Sequence, residues 1–449
     1  MPDQYKEKTM HHCQTLLQAA RIVTQDAQRR VLSNAALAID QGIIVDIGPS
    51  AELSSRWQAD SCLHLEDRLV LPGLVNAHTH AAMTILRGLA DDMPLMDWLQ
   101  QRIFPVEQRL TPRLVRLGSL LGFAEMLRTG ITACTDMYIF ENAVLEAADQ
   151  AGIRCLAGEG VFAFPSAACA QPSAALTVTR ELAAQYQGHE RLRVAVMPHS
   201  VYTTTPEILA ACRDLAQELN LPLHMHLSET QEETRLCQEA HGRRPVDYCH
   251  NLGLLDLPCS LAHVVDVNSA EVATLRQHGV VVVHNPSSNM KLASGTAPVT
   301  EMLEQGLTVA LGTDGAASNN RLSVFTEMRR AALLHKLRTA NPVSMPAQAA
   351  LDMATLAGAA ALGDARLGSL EKGKAADCVA LDISEPNMLP LHNEASQLVY
   401  AATGMETRLT MVGGEIVYQD GRFTRFDYPA LCAEICDLRA FLWRAAGLA

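Results

Sequence analysis

Arg68-Leu-Val-Leu-Pro-Gly-Leu-Val-Asn-Ala-His78-Thr79-His80 is an apolar run that ends in two histidines separated by one residue. Side chains alternate faces along a strand, so His78 and His80 point the same way at the carboxyl end of a buried strand. Two imidazoles so placed can grip one metal ion of the Zn, Fe or Ni type. Taken singly the pair is a weak signal. Its weight comes from the remainder of the chain, which offers further polar groups at equivalent places.

From residue 68 to about residue 367 the pattern alternates strand, loop and helix. Eight candidate strands end near His80, Tyr138, Gly160, His199, Ser228, Val265, Asn285 and Asp314, with helices such as 113–129, 207–220 and 269–278 between them. That alternation implies a parallel sheet, and eight units imply a (β/α)8 barrel whose active site lies at the carboxyl ends of its strands. Outside this section the texture is strand and turn, with a hairpin signal at Gln41-Gly42. The expected architecture is therefore α/β. Residues 1–67 and 368–427 form a small β-sandwich from both termini, 68–367 the barrel, and 428–449 a closing helix.

His78, His80, His199, His226, Glu229, His263, His284 and Asp314 all fall at predicted strand ends. An isolated histidine is usually a satisfied structural group, but this many at one end of one barrel points to a site. Three histidines and one aspartate can hold a single divalent ion with room for a water, whose pKa drops from 15.7 to about 7 on coordination. His226 lies nearer the barrel mouth than His224, which is expected to line the interior. Asp136 and Glu159 are expected to orient other groups. The lysines (6, 8, 291, 336, 372 and 374) all lie off the predicted barrel strands, so no bridging carbamate is expected and the site is read as mononuclear.

The formal charge of −13 argues against nucleic acid or an anionic membrane as partner. Twelve scattered cysteines without a CxxC pair suit reduced cytosolic thiols. The polar start and the lack of a long apolar run predict a cytoplasmic protein without a signal peptide or membrane span.

Four segments together resemble the amidohydrolase superfamily in its nucleoside and heterocycle deaminase branch: Pro72-Gly-Leu-Val-Asn-Ala-His78-Thr-His80, His226-Leu-Ser-Glu229-Thr, His284-Asn-Pro-Ser-Ser-Asn-Met-Lys and Gly312-Thr-Asp314-Gly. The stretch from His80 to Trp98, with Ile103-Phe-Pro-Val-Glu107, is similar to the 5-methylthioadenosine/S-adenosylhomocysteine deaminases, and related triazine hydrolases share parts of it. The resemblance implies His78, His80, His226 and Asp314 as metal ligands, with Zn2+ the default and Fe2+, Ni2+ or Mn2+ as alternatives. It implies Glu229 as proton shuttle, His263 as partner of the water or oxyanion, and Asp314 as proton acceptor. Trp98, Glu107 and His199 would contact the nucleoside, and the protein would be a homodimer or tetramer.

The expected reaction is hydrolytic deamination of a 6-aminopurine nucleoside. The loop after the third strand, Val161-Phe-Ala-Phe-Pro-Ser-Ala-Ala-Cys-Ala-Gln-Pro, has no Arg or Lys before Arg180. It therefore favours 5-methylthioadenosine over adenosine and over zwitterionic S-adenosylhomocysteine. The alternatives are a hydrolase of guanine, a pterin or a triazine on the same scaffold, or a non-catalytic binding protein.

Overall fold

A computed structural model describes residues 10–93 and 95–448. Its outer strands are β1 (His11–Val23), β2 (Val31–Asp40), β3 (Ile43–Pro49) and β4 (Trp57–Pro72). The middle of the chain contributes β5 (Leu74–Thr79), β6 (Ile131–Tyr138), β7 (Arg154–Val161), β8 (Leu192–Val194), β9 (Met197–Pro198), β10 (Leu223–Leu227), β11 (Cys259–His263), β12 (Val281–His284) and β13 (Thr308–Leu311). The C-terminal region adds β14 (Cys378–Asp382), β15 (Thr407–Val412), β16 (Glu415–Gln419) and β17 (Arg422–Phe423).

The middle strands alternate with helices in the manner of a TIM barrel and pair in parallel. One sheet runs β5-β6-β7-β8 with β9 also on β7, and the other runs β10-β11-β12-β13. The fourth strand position is split, because the chain breaks its ladder between Val194 and Met197. A parallel bridge between Val196 and Leu223 joins the two sheets on one side. On the other side the backbone N–H groups of Thr313 and Asp314 donate to His78 O at 3.1 and 3.0 Å. Asn76 fastens the same side, its Nδ2 donating to Thr313 Oγ1 at 2.7 Å and its Oδ1 accepting from Thr313 N at 2.9 Å. Gly312 makes this approach feasible, since a Cβ there would sit 2.9 Å from the His78 nitrogen.

Helix starts follow their sequence signals. Thr111 and Thr205 cap the helices Pro112–Arg128 and Pro206–Leu219, and Asn268 with Glu271 forms a capping box for Ser269–Gln277. The closing helix spans Tyr428–Ala445, and none of the helices among the described residues is long and apolar enough to cross a membrane.

The outer strands differ in detail from the expected sandwich. Hydrogen bonding makes them one eight-stranded sheet, β17-β16-β15-β14-β4-β1-β2-β3, in which only β1 and β4 pair in parallel. The sheet curls on itself. Gln41 and Gly42 take positive φ in the β2–β3 turn, and that turn meets the Gly413-Gly414 turn, where Gly42 O accepts from Ala376 N at 2.8 Å. The curl encloses Leu17, Leu37, Ile39, Ile44, Val70, Leu409 and Met411. Strand β4 continues through Pro72, beyond the expected limit at residue 67, because β14 pairs with it from Arg68 to Pro72.

Candidate metal centre and active site

His78 is the next-to-last residue of the fully buried β5 and His80 follows it by two; His80 lines the cavity above the strand ends and His78 lies at its base. Each histidine of the cluster has its Nδ1 engaged. Nδ1 of His78 lies 2.8 Å from His224 Nε2, and His224 Nδ1 lies 2.7 Å from Ser260 Oγ. Nδ1 of His226 lies 2.9 Å from His199 O, that of His80 bonds Met137 O, and that of His263 lies 2.8 Å from Asn289 Oδ1. A carbonyl oxygen can only accept, so His80 and His226 carry their proton on Nδ1. That turns both Nε2 atoms toward the cluster, where His226 offers a lone pair and His80 meets Asp314. A relay of Nδ1–H donors through His224 to Ser260 is compatible with the same tautomer at His78, whose Nε2 is buried without a hydrogen-bond partner.

These lone pairs converge. Ligand atoms of His78, His226, His263 and Asp314 lie within 4.8 Å of one another. His80 joins them, with Nε2 3.0 Å from Asp314 Oδ1 and 3.4 Å from His226 Nε2. The carboxylate of Asp314 is divided between two tasks. Its Oδ2 accepts from Ser288 Oγ at 2.6 Å and Ser318 Oγ at 2.7 Å, while Oδ1 faces the imidazoles. Asp314, Ser228 and His263 all take positive φ, so strained backbone is concentrated at these strand ends, as at other functional sites.

The electrostatics favour a cation. Burial lowers His78 to about 4 and pushes His226 and His224 well below their usual value, so these rings are neutral. Burial would also lower His80 and raise Asp314. The contact between them outweighs it, lifting His80 to about 9 and holding Asp314 well below the usual carboxylate range. The orphaned Nε2 of His78, the committed Nδ1 atoms and a bare carboxylate oxygen together fit a divalent metal.

A cavity opens above the cluster. Glu229 and His263 line it beside His80, His226 and Asp314. Glu229 follows β10 and is buried, its nearest hydrogen-bond partner being Ser294 Oγ at 3.5 Å. The burial raises its carboxyl pKa. Glu233, in the first turn of the helix Gln231–His241, holds this loop by accepting from Ser228 N at 2.9 Å and Glu229 N at 2.7 Å.

Two walls lead outward. On one, Tyr138 Oη donates to Glu107 Oε1 at 2.8 Å, and Phe104 shares the short helix Phe104–Glu107. On the other, His199 packs 4.9 Å from Phe162, which packs 5.2 Å from Phe164. Phe164 and Phe104 meet at 5.8 Å and close the rim. His199, lowered by burial to about 3, is neutral, and its Nδ1 lies 2.9 Å from Thr203 Oγ1. Trp98 also lines the cavity, with its indole N–H spent on Ala90 O at 3.1 Å, so only its ring is offered to a ligand.

Every site residue expected from the sequence thus reaches one cavity or its base. Other candidates fall elsewhere. His284 turns away from the cluster, its Nε2 3.2 Å from His335 Nε2. Asp136 accepts from Ala81 N at 2.6 Å and Glu159 from Phe140 N and Glu141 N, so both hold backbone. Sequence reasoning does not single out Tyr138, Ser288, Asn289 or Ser318, and it meets Phe162 and Phe164 only as part of the loop after the third strand. Ser288 and Asn289 lie inside the motif that begins at His284, but hydroxyl and amide side chains carry no signal of which group they will hold.

The family described as "Amidohydrolase family" matches residues 69–417. The chain is 68% identical over 440 residues to a 5-methylthioadenosine/S-adenosylhomocysteine deaminase of Desulfovibrio desulfuricans, covering 98% of this chain and 100% of that one. It is 56% identical over 430 residues to the protein of the same name from Nitratidesulfovibrio vulgaris, covering 96% and 98%. Among solved structures it resembles an adenosine deaminase from Xanthomonas campestris with bound zinc, at TM-score 0.95 and 36% identity over 97% of this chain and 100% of that one. It also resembles the zinc complex of atrazine chlorohydrolase from Arthrobacter aurescens, at TM-score 0.87 and 26% identity over 95% and 100%. The chain belongs to the amidohydrolase family.

Proposed function

We propose that the protein is a metal-dependent hydrolase that deaminates 6-aminopurine nucleosides, converting 5-methylthioadenosine to 5-methylthioinosine and ammonia. S-adenosylhomocysteine and adenosine are further substrates. The observation that carries this reading is the cavity itself. A cluster of imidazoles and one carboxylate lies at its base, a buried carboxyl, Glu229, stands beside it, and a second carboxyl, Glu107, lies on the outer wall. The names of the relatives at 68% and 56% identity support it.

His78, His80, His226 and Asp314 are the residues that would hold the metal, and imidazole with carboxylate suits Zn2+. When bound, the ion lowers the pKa of water to about 7 and so supplies hydroxide at neutral pH. The chain's own residues do the rest. Glu229, whose carboxyl pKa burial raises, gives its proton to purine N1 and makes C6 electrophilic. Asp314 Oδ1 accepts the proton of the attacking water as its oxygen bonds to C6. His263, whose Nδ1 is tied to Asn289, turns its other edge toward the developing oxyanion. The amino nitrogen takes the proton held by Asp314, the C6–N bond breaks as the C6 hydroxyl returns its proton to Glu229, and ammonia leaves the 6-oxopurine. Glu107 accepts from the ribose hydroxyls, Trp98 covers the sugar and base, and neutral His199 contacts the purine.

The aromatic rim of Phe104, Phe162 and Phe164 lies beyond Glu107, where a 5′ substituent would project. Among the described residues the lining includes no Arg or Lys, so a methylthio group fits it better than a homocysteine carboxylate. In the same reading the two parallel sheets work as one closed (β/α)8 barrel and the curled outer sheet as the small β-sandwich beside it. The first domain boundary then moves to Pro72. Ammonia release from 5-methylthioadenosine, adenosine, S-adenosylhomocysteine, adenine, guanine and a chlorotriazine tests the proposal. It expects the nucleosides to react, methylthioadenosine fastest. Turnover of a free base or the triazine alone would discard it.

A further inference from the structure

Three consecutive residues of the short helix Pro286–Lys291 send their side chains to three destinations. Ser288 Oγ donates to Asp314 Oδ2 at 2.6 Å, and Asn289 Oδ1 lies 2.8 Å from His263 Nδ1. The third, Ser287, turns outward to a fully buried carboxylate, Glu327, on the helix Val324–Thr339. Glu327 Oε2 accepts from Ser287 N at 3.0 Å, and Oε1 accepts from the Ser287 hydroxyl and from Asn319 Nδ2 at 3.0 Å. Asn319 Nδ2 also donates to Thr313 O at 2.7 Å, one residue before Asp314, and its neighbour Ser318 supplies the second hydroxyl on Asp314 Oδ2. Arg330 bonds the Ser287 hydroxyl from the far side.

Both arms that grip Asp314, and the one that orients His263, are thus anchored on one carboxylate that touches none of the reacting groups. A buried carboxylate is costly unless its acceptors are filled. Here they are filled by the two segments whose neighbouring residues set the direction of Asp314 and His263. We propose that Glu327 is a positioning residue, fixing the Ser287-Ser288-Asn289 clip and the Ser318-Asn319 turn so that Asp314 Oδ1 and the free edge of His263 face the same point. The proposal rests on the reading of Asp314 as a ligand and of His263 as an oxyanion partner. Groups that orient metal ligands typically cost about 10–100-fold in affinity or activity when removed.

The test compares wild type with Glu327→Ala and Glu327→Gln in two readouts: zinc affinity by competition with a chromophoric chelator, and kcat and KM on 5-methylthioadenosine. Glu327→Ala should weaken zinc binding and lower kcat, each about 10–100-fold, with KM within about threefold. Glu327→Gln keeps an acceptor for Ser287 N–H and should recover most of both. Added to a Ser288→Ala/Asn289→Ala/Ser318→Ala background, Glu327→Ala should lower kcat by less than about threefold more, because both arms through which it acts are already cut. Unchanged zinc affinity and kcat in Glu327→Ala, or effects that multiply in the combined variant, would overturn the proposal. If Glu327→Ala does not fold, Ser287→Ala replaces it, and an unaltered kcat there overturns the proposal equally. The zinc titration needs no substrate. Silence on every nucleoside would therefore sink the deaminase reading, while zinc affinity alone would still support or overturn the role of Glu327.

Discussion

Replacing Glu229 by glutamine isolates proton transfer from everything else in the cavity. Glutamine has nearly the same shape, and the carboxyl it replaces has only the 3.5 Å contact with Ser294 Oγ to lose. Folding stability should therefore change by less than about 1 kcal/mol. Catalysis should change far more. The side chain stands beside His263 and Asp314 in the cavity, and Asp314 is already occupied as acceptor, so no second acid is poised to protonate N1. Loss of a positioned acid costs about 10²–10⁴-fold. That is roughly 3–5 kcal/mol of barrier at 1.36 kcal/mol per decade. The loss should fall on kcat with KM nearly unchanged, measured by the absorbance change on conversion of 5-methylthioadenosine. The pH profile adds a sign. Burial raises the Glu229 pKa, and the acid form is the active one, so wild-type kcat falls as pH rises through that raised value. The variant should lack this alkaline limb. A Glu229→Gln protein that keeps more than about a tenth of kcat, or that loses only KM, would refute the assignment of the proton to this residue.

Three other perturbations probe separate parts of the molecule. Asp377 accepts both Nε and Nη2 of buried Arg154 at 2.9 Å and also Gly413 N at 2.8 Å, so Asp377→Ala should cost about 3–5 kcal/mol in urea unfolding, and a loss below about 1 kcal/mol would contradict it. Stripping the metal with a chelator should abolish turnover and lower the melting temperature, both restored by zinc. Because Asp314 lifts His80 to about 9 in the metal-free chain, zinc addition at pH 7.5 should release about one proton from His80 and most of a second from bound water to an indicator dye, and an unchanged dye would count against it. Phe164 is 40% exposed and at the rim, so Phe164→Ala should cut kcat/KM for methylthioadenosine about 3–10-fold with little change for adenosine, and equal losses on both would remove the rim from the 5′ subsite.

Much of this site was legible because its carriers are rare residue types at fixed offsets. Two-residue alternation put His78 with His80, and His224 with His226, on common faces, and both pairs do point inward. Distinguishing His226 from His224 needed only depth along the strand: His226 reaches the mouth, while His224 is the relay behind His78. His284 shows the limit. It ends a strand as the others do, yet it faces the helix layer, because a strand end says where a residue is and not which way it turns. The curled outer sheet was legible as strands but not as a single ladder, since pairing between β4 and β14 joins residues remote in sequence, for which no local pattern exists. The aromatic rim was only partly legible for a similar reason: the loop with Phe162 and Phe164 read as uncharged, but Phe104 lies on a short helix remote in sequence, and only the fold brings it to Phe164.

That pairing of β4 with β14 has a consequence for synthesis. Arg68 and Asp382 share a register position but emerge from the ribosome about 310 residues apart, a delay of roughly 15–60 s at 5–20 residues per second. Throughout that interval β4 has β1 on one flank and open backbone amides on the other, so the nascent chain carries an unpaired edge able to recruit a strand from another chain. The parallel strands β5 to β13 have all been synthesised before residue 382 appears, and β15, β16 and β17 come after it. The capture of β14 by the waiting edge of β4 is therefore a late event, on which the addition of β15, β16 and β17 to the sheet depends. The stretch most exposed to misassembly on the way is the one that leads directly into His78.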